Sequence, residues 1–156
     1  MSFEGVVPIL YSTDVKRSIA YYMEQLAFDE KWEWDNEPTT FGGVEKDYVR
    51  IFFCLNYQGN PGTWIAINID NVDEYYEIIK ARGAKIISPP ENKEWFMREM
   101  LVEDSDSHII RFGHGTEYFL FTYFSITFLI ASRYFISALF RAISSTHLLL
   151  KTICAV

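Results

Sequence analysis

The sequence predicts an α+β domain built from two copies of a strand-helix-strand-strand-strand module, followed by an apolar C-terminal extension. The same order of predicted elements occurs twice, at about residues 5–58 and 62–113. A shift of 57 residues places the start of the first predicted helix, at Asp14, on the start of the second, at Asn71. A repeat of this length indicates a duplicated half-domain and not a solenoid unit.

The first module begins with a strand and a helix. The run GVVPILYS, residues 5–12, predicts an edge strand, because Pro8 lacks the N–H that a central strand donates. Ser12, Thr13 and Asp14 then offer N-caps for a helix. Apolar side chains at helical spacing predict that one face of this helix packs on the sheet. This stripe consists of Val15, Ile19, Tyr22, Met23 and Leu26.

Three further strands complete the first module. They are predicted in FDEKWEWD (28–35), PTTFGGV (38–44) and KDYVRIFFCLNY (46–57), and the turn QGNPGT closes the module. Trp32 and Trp34 share a strand face, so both line a cleft or both pack under the helix.

The second module repeats this order. WIAINI (64–69) predicts a strand, Asp70 and Asn71 are helix caps, and Gly83 ends the helix VDEYYEIIKAR. After it come a strand in AKIIS, a break in PPENKE, a strand in WFMREMLVED, a tight turn in SDS and a last strand in HIIRFGH.

Composition indicates one domain with a preference for cationic partners. The 156 residues, 49% hydrophobic and 22% charged, suffice for a single core. The net charge of −7 at pH 7 disfavours nucleic acid and anionic membrane surfaces. The two cysteines include Cys54, which we interpret as an inert buried thiol, and no signal peptide is evident, so the expected location is cytoplasmic.

Four segments carry a family resemblance: VVPILYSTDVKRSIAYYMEQLAF, FGGVEKDYVRIFF, WIAINIDNVDEYYEIIKARGAKI and EWFMREMLVEDSDSHIIRF. Together they resemble the vicinal oxygen chelate superfamily (glyoxalase/bleomycin resistance protein/dioxygenase) over about residues 3–113, and within it the bleomycin-resistance proteins. The resemblance implies two βαβββ modules whose curved mixed sheets form an open cup. It also implies a homodimer with ligand grooves at the subunit boundary. Whether the first strand is exchanged between subunits stays open.

The resemblance also locates the positions at which metal-dependent relatives hold a divalent ion. They correspond to Val7, about Phe52, Trp64 and Arg111. None of these side chains supplies a carboxylate or imidazole ligand, and Arg111 adds a positive charge. We therefore expect no metal and no other cofactor.

Without a metal, the resemblance implies that aromatic rings hold the ligand. The candidate ligand-binding residues are Trp32, Trp34, Phe41, Tyr48, Trp64, Trp95 and Phe96. Core packing is the alternative for each of them. Residues 1–113 carry 11 basic and 20 acidic residues, and aromatic faces attract cations by about 0.5–2 kcal/mol each.

The expected function is metal-independent binding that sequesters bleomycin-like or other cationic aromatic compounds and so confers antibiotic resistance. One alternative is a metal-dependent superfamily enzyme, glyoxalase-, dioxygenase- or thiol-transferase-like, with a displaced site. Another is a structural or membrane-tethered interaction protein. No catalytic residue is assigned.

Other polar residues have structural interpretations. His108 and His114 are about 20 Å apart on an extended strand at ~3.3 Å per residue, so they cannot share one ion. We expect them at solvated strand ends. Glu99, a carboxylate without a metal or nucleophile beside it, is expected to pair with Arg98 or Arg111 and not to act as a base.

The chain changes character after the second module, which separates a domain at residues 1–114 from a tail at 115–156. Residues 118–132 carry no charge, and Arg133 interrupts the apolar run that follows. The tail is a marginal membrane anchor, a packed helix or dimerisation segment, or an extension read in a shifted frame, and we favour the last. Membrane contact is expected only through this tail.

Overall fold

Two βαβββ modules follow one another in the structure, a computed structural model that describes residues 1–2 and 5–116. The first module contains β1 (Ile9–Ser12), α1 (Val15–Glu24), β2 (Glu30–Glu33), β3 (Phe41–Lys46) and β4 (Val49–Leu55). The second contains β5 (Trp64–Asn68), α2 (Val72–Ala81), β6 (Lys85–Asn92), β7 (Met97–Glu103) and β8 (Ile109–Gly115).

Each module forms one mixed sheet, and the two sheets have the same strand order. The orders are β1-β4-β3-β2 and β5-β8-β7-β6. In both sheets the first strand pairs in parallel with the fourth, while β3 pairs antiparallel with β2 and β4, and β6 with β7. The predicted α+β fold with two βαβββ modules is therefore confirmed.

The chain divides into two units, Met1–His114 and Gly115–Val156. The three interpretations of the tail fall on residues outside those that the structure describes, apart from Gly115 and Thr116. Within the described ranges, no helix is long and apolar enough to cross a membrane.

Both helices begin at the residues that local sequence favours, and α2 also ends at such a residue. The side chain of Asp14 accepts a hydrogen bond from the Arg17 backbone N–H at 3.1 Å, and Asn71 caps α2 in the same way. Gly83, at φ +82°, follows the last turn of α2 in the left-handed conformation that ends many helices. The predicted stripe of α1 is buried except for Met23, which is partly buried.

Strand β6 departs from the prediction. The segment PPENKE was expected to end the strand, yet β6 continues through Pro89 and Pro90 to Asn92. It is one of the two edge strands of the second sheet, and its register with β7 shifts on either side of Ser88. An edge position with irregular pairing tolerates residues that have no N–H to donate. In the first sheet, Pro8 lies just before β1 and accepts from the Phe52 backbone N–H at 3.0 Å.

Strand alternation gives each sheet one face toward the helices and the core, and an opposite face that we call the outer face. In β4, Ile51 and Phe53 are fully buried on the core side. The ring of Tyr22 on α1 contacts Phe53 at a centroid distance of 5.0 Å. In the second sheet Phe112 takes the same role and lies 4.8 Å from the ring of Tyr75 on α2.

A carboxylate in the turn between β7 and β8 joins the second module to the first. Asp106, whose side chain is 3% exposed, lies at the N-terminus of α1. It accepts hydrogen bonds from the backbone and hydroxyl of Thr13 at 3.1 and 2.6 Å, from the Ser18 hydroxyl at 2.7 Å and from the Arg17 guanidinium at 2.7 Å. The Ser12 hydroxyl donates at 3.3 Å. This end of the helix favours negative charge, so the contact fixes the module junction electrostatically.

Two further contacts at this junction are buried. The Tyr22 hydroxyl donates to Asp104 at 3.1 Å, and burial raises the pKa of both groups. His108 was expected at a solvated strand end, and this was wrong, because it is fully buried. Its Nδ1 accepts from the Thr63 backbone N–H at 3.1 Å, so Nε2 carries the proton and donates to the Tyr11 carbonyl at 2.7 Å. It lies one residue before β8, where alternation places it on the same side as the buried Phe112.

Replacing Asp106 by Asn is expected to lower the free energy of unfolding by about 2–4 kcal/mol, because a buried charged acceptor of several hydrogen bonds is lost. Urea unfolding followed by circular dichroism measures the change. Asp29→Asn is the matched control, since the Asp29 side chain is 62% exposed and, within the described part of the chain, its one ion-pair partner is Lys46. It should change stability by less than about 1 kcal/mol. Equal effects of the two substitutions would contradict the role given to Asp106.

The stability difference between the wild type and Asp106→Asn is expected to depend on pH. Burial alone would raise the pKa of Asp106, but hydrogen bonds from Thr13 and Ser18, together with the charge of Arg17, hold this pKa below its usual value. Such a group stabilises the fold above its unfolded pKa of about 3.9, and this contribution is lost as the pH falls through the folded pKa. Unfolding curves at neutral pH and at about pH 3 should show that the stability difference shrinks on acidification. A constant difference would contradict this prediction.

Candidate functional site

The outer face of the first sheet carries a cluster of four aromatic rings, which we call the first aromatic face. It consists of Trp32, Trp34, Phe41 and Phe52. Trp32 lies 5.1 Å from Phe52 and 5.6 Å from Phe41 between ring centroids, and Phe41 lies 5.2 Å from Trp34. The two indoles remain 39% and 56% exposed. The cluster therefore presents ring surface to solvent and not to the core.

The register of the sheet brings these rings together. Trp32 pairs with Gly43 across β2 and β3, Gly43 pairs with Phe52 on β4, and Phe52 pairs with Ile9 on β1. A Cβ atom on Gly43 would lie 2.7 Å from the Phe52 ring and 3.1 Å from the Trp32 indole nitrogen. The absence of a side chain at Gly43 thus lets both rings approach the backbone of the central strand.

A cavity and a charged row border the first aromatic face. The cavity, about 440 Å³, is lined by Trp34, Thr40, Phe41, Cys54, Leu55, Tyr57 and Gln58. Cys54 is buried and reduced, as expected. The ladder row next to Trp32 contains Glu30, Glu45 and Arg50, and Arg50 pairs with Glu45 at 2.9 Å. This row therefore has one more negative than positive charge.

The outer face of the second sheet, which we call the second face, is more polar. Its cavity, about 460 Å³, is lined by Ala66, Ile67, Asn68, Trp95, Met97, Glu99, Arg111 and Gly113. Trp64, two residues before Ala66 on β5, points to the same side and is 64% exposed. An exposed indole thus flanks a floor that contains charged groups.

Glu99 is the buried charge of the second face. Its carboxylate Oε1 accepts a hydrogen bond from the Trp95 indole N–H at 3.1 Å and lies 3.8 Å from Nε of Arg111. Of the two expected partners, Arg111 is therefore the one beside it. Arg98 instead forms a bidentate pair with Asp73 on α2, with both N–O distances 2.6 Å.

The structure separates the candidate ligand-binding residues into two groups and leaves one aside. Trp32, Trp34 and Phe41 belong to the first aromatic face, whereas Trp64 and Trp95 border the second, with the half-exposed Phe96 next to Trp95. Tyr48 belongs to neither face. It is fully exposed in the β3–β4 turn and lines a different cavity of about 590 Å³.

Sequence reasoning did not select Phe52 as a ligand-binding residue. It lies beside Phe53 in the run FFCL, and strand alternation requires one of the two rings to face outward. The sequence gives no sign of which one, because the pairing with β3 decides it.

The four positions at which metal-dependent relatives would hold an ion do not fit one here. Phe52 pairs with Ile9 and Arg111 with Ala66, so the two occupy corresponding places in the two modules. Together with Val7 and Trp64, they provide no oxygen, sulfur or imidazole ligand. Among the described residues, no group of three or more His, Cys, Asp or Glu is placed to hold a metal ion.

Solved structures with this fold include TioX, a bleomycin-binding protein and an antibiotic binding protein. TioX from Micromonospora sp. ML1 superposes with a TM-score of 0.64 at 19% identity, covering 72% of this chain and 99% of that one. The bleomycin-binding protein of bleomycin-producing Streptomyces verticillus, complexed with copper(II)-bleomycin, gives 0.61 at 23% identity, with 74% and 98% covered. TnmS3, an antibiotic binding protein from Streptomyces sp. CB03234, gives 0.63 at 16% identity, with 74% and 99% covered. At these identities the likeness shows the fold.

Family membership follows from the sequence itself. Comparison with curated proteins gave no match. The model of the Glyoxalase/Bleomycin resistance protein/Dioxygenase superfamily matches residues 6–112, which is more than half of the chain and includes every strand that forms the two outer faces except the last residues of β8. The chain belongs to the Glyoxalase/Bleomycin resistance protein/Dioxygenase superfamily.

Proposed function

We propose that this protein binds a flat, cationic small molecule on aromatic rings and does so without a metal ion. The first aromatic face carries the proposal. Its four rings form one contiguous surface, and its two indoles are 39% and 56% exposed. Contiguous exposed aromatic surface on a soluble domain is typical of a binding site.

Electrostatics support a cationic ligand at this face. Residues 1–113 have a net charge of −9, which raises the local concentration of cations near the surface. Glu30 and Glu45 lie in the ladder row beside Trp32, and Arg50 offsets only one of them. Each indole or phenyl face adds about 0.5–2 kcal/mol of attraction for a cation placed over it.

The proposed biological role is sequestration of an antibiotic. Proteins described as binding bleomycin or other antibiotics share this fold, and one of them was solved with copper(II)-bleomycin. By analogy, this protein would hold a bleomycin-like compound in the cytoplasm and lower its free concentration. We also propose a homodimer, in which a second copy would cover part of the exposed aromatic surface.

Replacing Trp32 by Leu is expected to weaken the binding of metal-free bleomycin by about 10-fold or more, because the indole that contacts both Phe41 and Phe52 is lost. Isothermal titration calorimetry measures the affinity. Tyr48→Leu is the matched control, since it removes an exposed aromatic side chain outside both faces. This control should bind as the wild type does.

Two results would count against this proposal. No detectable heat with bleomycin up to millimolar concentrations would remove bleomycin as the ligand class. Equal loss of affinity in Trp32→Leu and Tyr48→Leu would show that the first aromatic face is not the binding surface. Circular dichroism of each variant shows whether the fold is retained.

Purified protein is expected to bind no divalent metal ion tightly at the superfamily position, because Val7, Phe52, Trp64 and Arg111 supply no ligand atoms suited to one. Titration of metal-free protein with nickel, manganese and iron(II), with elemental analysis after dialysis, tests this expectation. A stoichiometric ion with a dissociation constant below about 10 μM would favour a metal-dependent enzyme instead.

A further inference from the structure

Glu99 is a buried carboxylate with an incomplete set of partners. Its side chain is 7% exposed. Within the part of the chain that the structure describes, one hydrogen bond reaches it, from the Trp95 indole to Oε1 at 3.1 Å. Arg111 lies 3.8 Å away, which is an ion-pair distance but beyond that of a hydrogen bond. A carboxylate taken this far from water normally has more donors around it.

The second oxygen of Glu99 is not fully buried, and the residue lines the cavity of the second face. Among the described residues, no donor contacts Oε2. In the same part of the chain, every fully buried side-chain nitrogen or oxygen has a hydrogen-bond partner, so the unpartnered Oε2 keeps some solvent access. The cavity that Glu99 lines has a volume of about 460 Å³. A Cβ on Gly113 would lie 2.9 Å from Cγ of Glu99, so the glycine allows the carboxylate to lie in the floor of this cavity.

Arg111 supplies the complementary half of the floor. Its side chain is 44% exposed, and its terminal nitrogens donate to no acceptor in the described residues. Because Glu99 and Arg111 carry opposite charges, a simple cation near this floor is attracted by one group and repelled by the other. Glu99 offers a hydrogen-bond acceptor, and Arg111 offers hydrogen-bond donors next to it. A ligand group that binds both residues therefore has a donor beside an acceptor.

Trp64 and Trp95 indicate the shape of such a group. Their indoles are 64% and 56% exposed at the border of the second face. Exposed indole faces stack on flat rings, and a ring lactam or an aminopyrimidine places an N–H beside a carbonyl or ring nitrogen in one plane. A ring of this kind meets both the stacking surface and the polar floor.

We propose that the second face binds a planar heterocycle through an amide-like edge, with Glu99 accepting the ligand N–H and Arg111 donating to the adjacent ligand acceptor. This inference rests on the proposed binding function and names the part of the ligand that the second face recognises. It differs from the cation binding proposed for the first aromatic face. A ligand that engages both sheets then carries a flat amide-type ring as well as its positive charge.

The bicyclic lactam 2-quinolone and its N-methyl derivative test the proposal, because they differ only in the N–H donor. Titration of ¹⁵N-labelled protein followed through its indole N–H signals, assigned by single Trp→Phe substitutions, reports the site of binding. We expect 2-quinolone to shift the Trp95 signal with a dissociation constant of about 1 mM or tighter. The N-methyl compound should bind at least about 10-fold more weakly, because it leaves the buried acceptor unpaired.

Two variants examine the floor separately. Glu99→Gln keeps the shape of the side chain but replaces a carboxylate oxygen by an amide, and it should weaken 2-quinolone binding about 10-fold. Arg111→Gln changes a half-exposed position and serves if Glu99→Gln does not fold; it should weaken binding by a similar factor. Equal binding of the two lactams, or no effect of Arg111→Gln, would overturn the proposal.

The location of the shifts distinguishes the two proposals. If bleomycin binds in a Trp32-dependent manner while 2-quinolone shifts only Trp32 and Trp34, the amide-edge inference fails and the proposed function stands. Alternatively, 2-quinolone shifts the Trp95 indole signal and binds more tightly than its N-methyl derivative, while bleomycin does not bind. In that case the inference is supported and bleomycin is removed as the ligand class.

Discussion

The carboxylate of Asp106 holds the junction on which both outer faces depend. It belongs to the β7–β8 turn of the second module, yet its hydrogen bonds go to Thr13, Arg17 and Ser18 at the start of α1. Since α1 packs on the core side of the first sheet, this contact ties the first sheet to the strands that carry Arg111 and Glu99. His108 strengthens the same junction by linking the Tyr11 carbonyl to the backbone before β5. The two outer faces therefore rest on a polar junction that lies on the other side of each sheet.

Local chemistry made much of the fold predictable. Asp14 and Asn71 cap helices because their side chains accept from N–H groups of the first turn, and these contacts need no distant partner. The stripe of α1 and the repeated element order likewise follow from spacing along the chain. What the sequence did not predict depends on distant partners. His108 can be buried because the Tyr11 carbonyl, 97 residues away, accepts a hydrogen bond from its Nε2–H. Likewise, β6 extends through two prolines because pairing with β7 is irregular there.

That exposed aromatic residues lie on the sheets could be predicted from the sequence, but which of them lie together could not. Strand alternation was enough to put Trp32 and Trp34 on one side of β2, and the structure places both away from α1. Tyr48 was predicted inside a strand that begins at residue 46. The structure places it in the turn before β4, where it shares no sheet face with Trp32 and Trp34. For Glu99 the sequence left two expected partners, and the structure separates them. Arg111 lies beside Glu99, whereas Arg98 points to the helix side of β7, where Asp73 binds it.

The duplication gave two sheets of one topology and different surface chemistry. Phe52 and Arg111 occupy corresponding ladder positions, and the change from phenyl to guanidinium separates an apolar ring cluster from a polar floor. Gly43 limits how the first of these surfaces can diversify. Any side chain at Gly43 would displace the ring of Phe52 or Trp32 from the backbone. A larger residue at this position therefore cannot be used to fit the surface to a smaller ligand. Evolution, or a protein engineer, would have to reshape the rim instead. Ala66 beside Arg111 is exposed and leaves room for bulk, which makes the second sheet the easier place to acquire a new specificity.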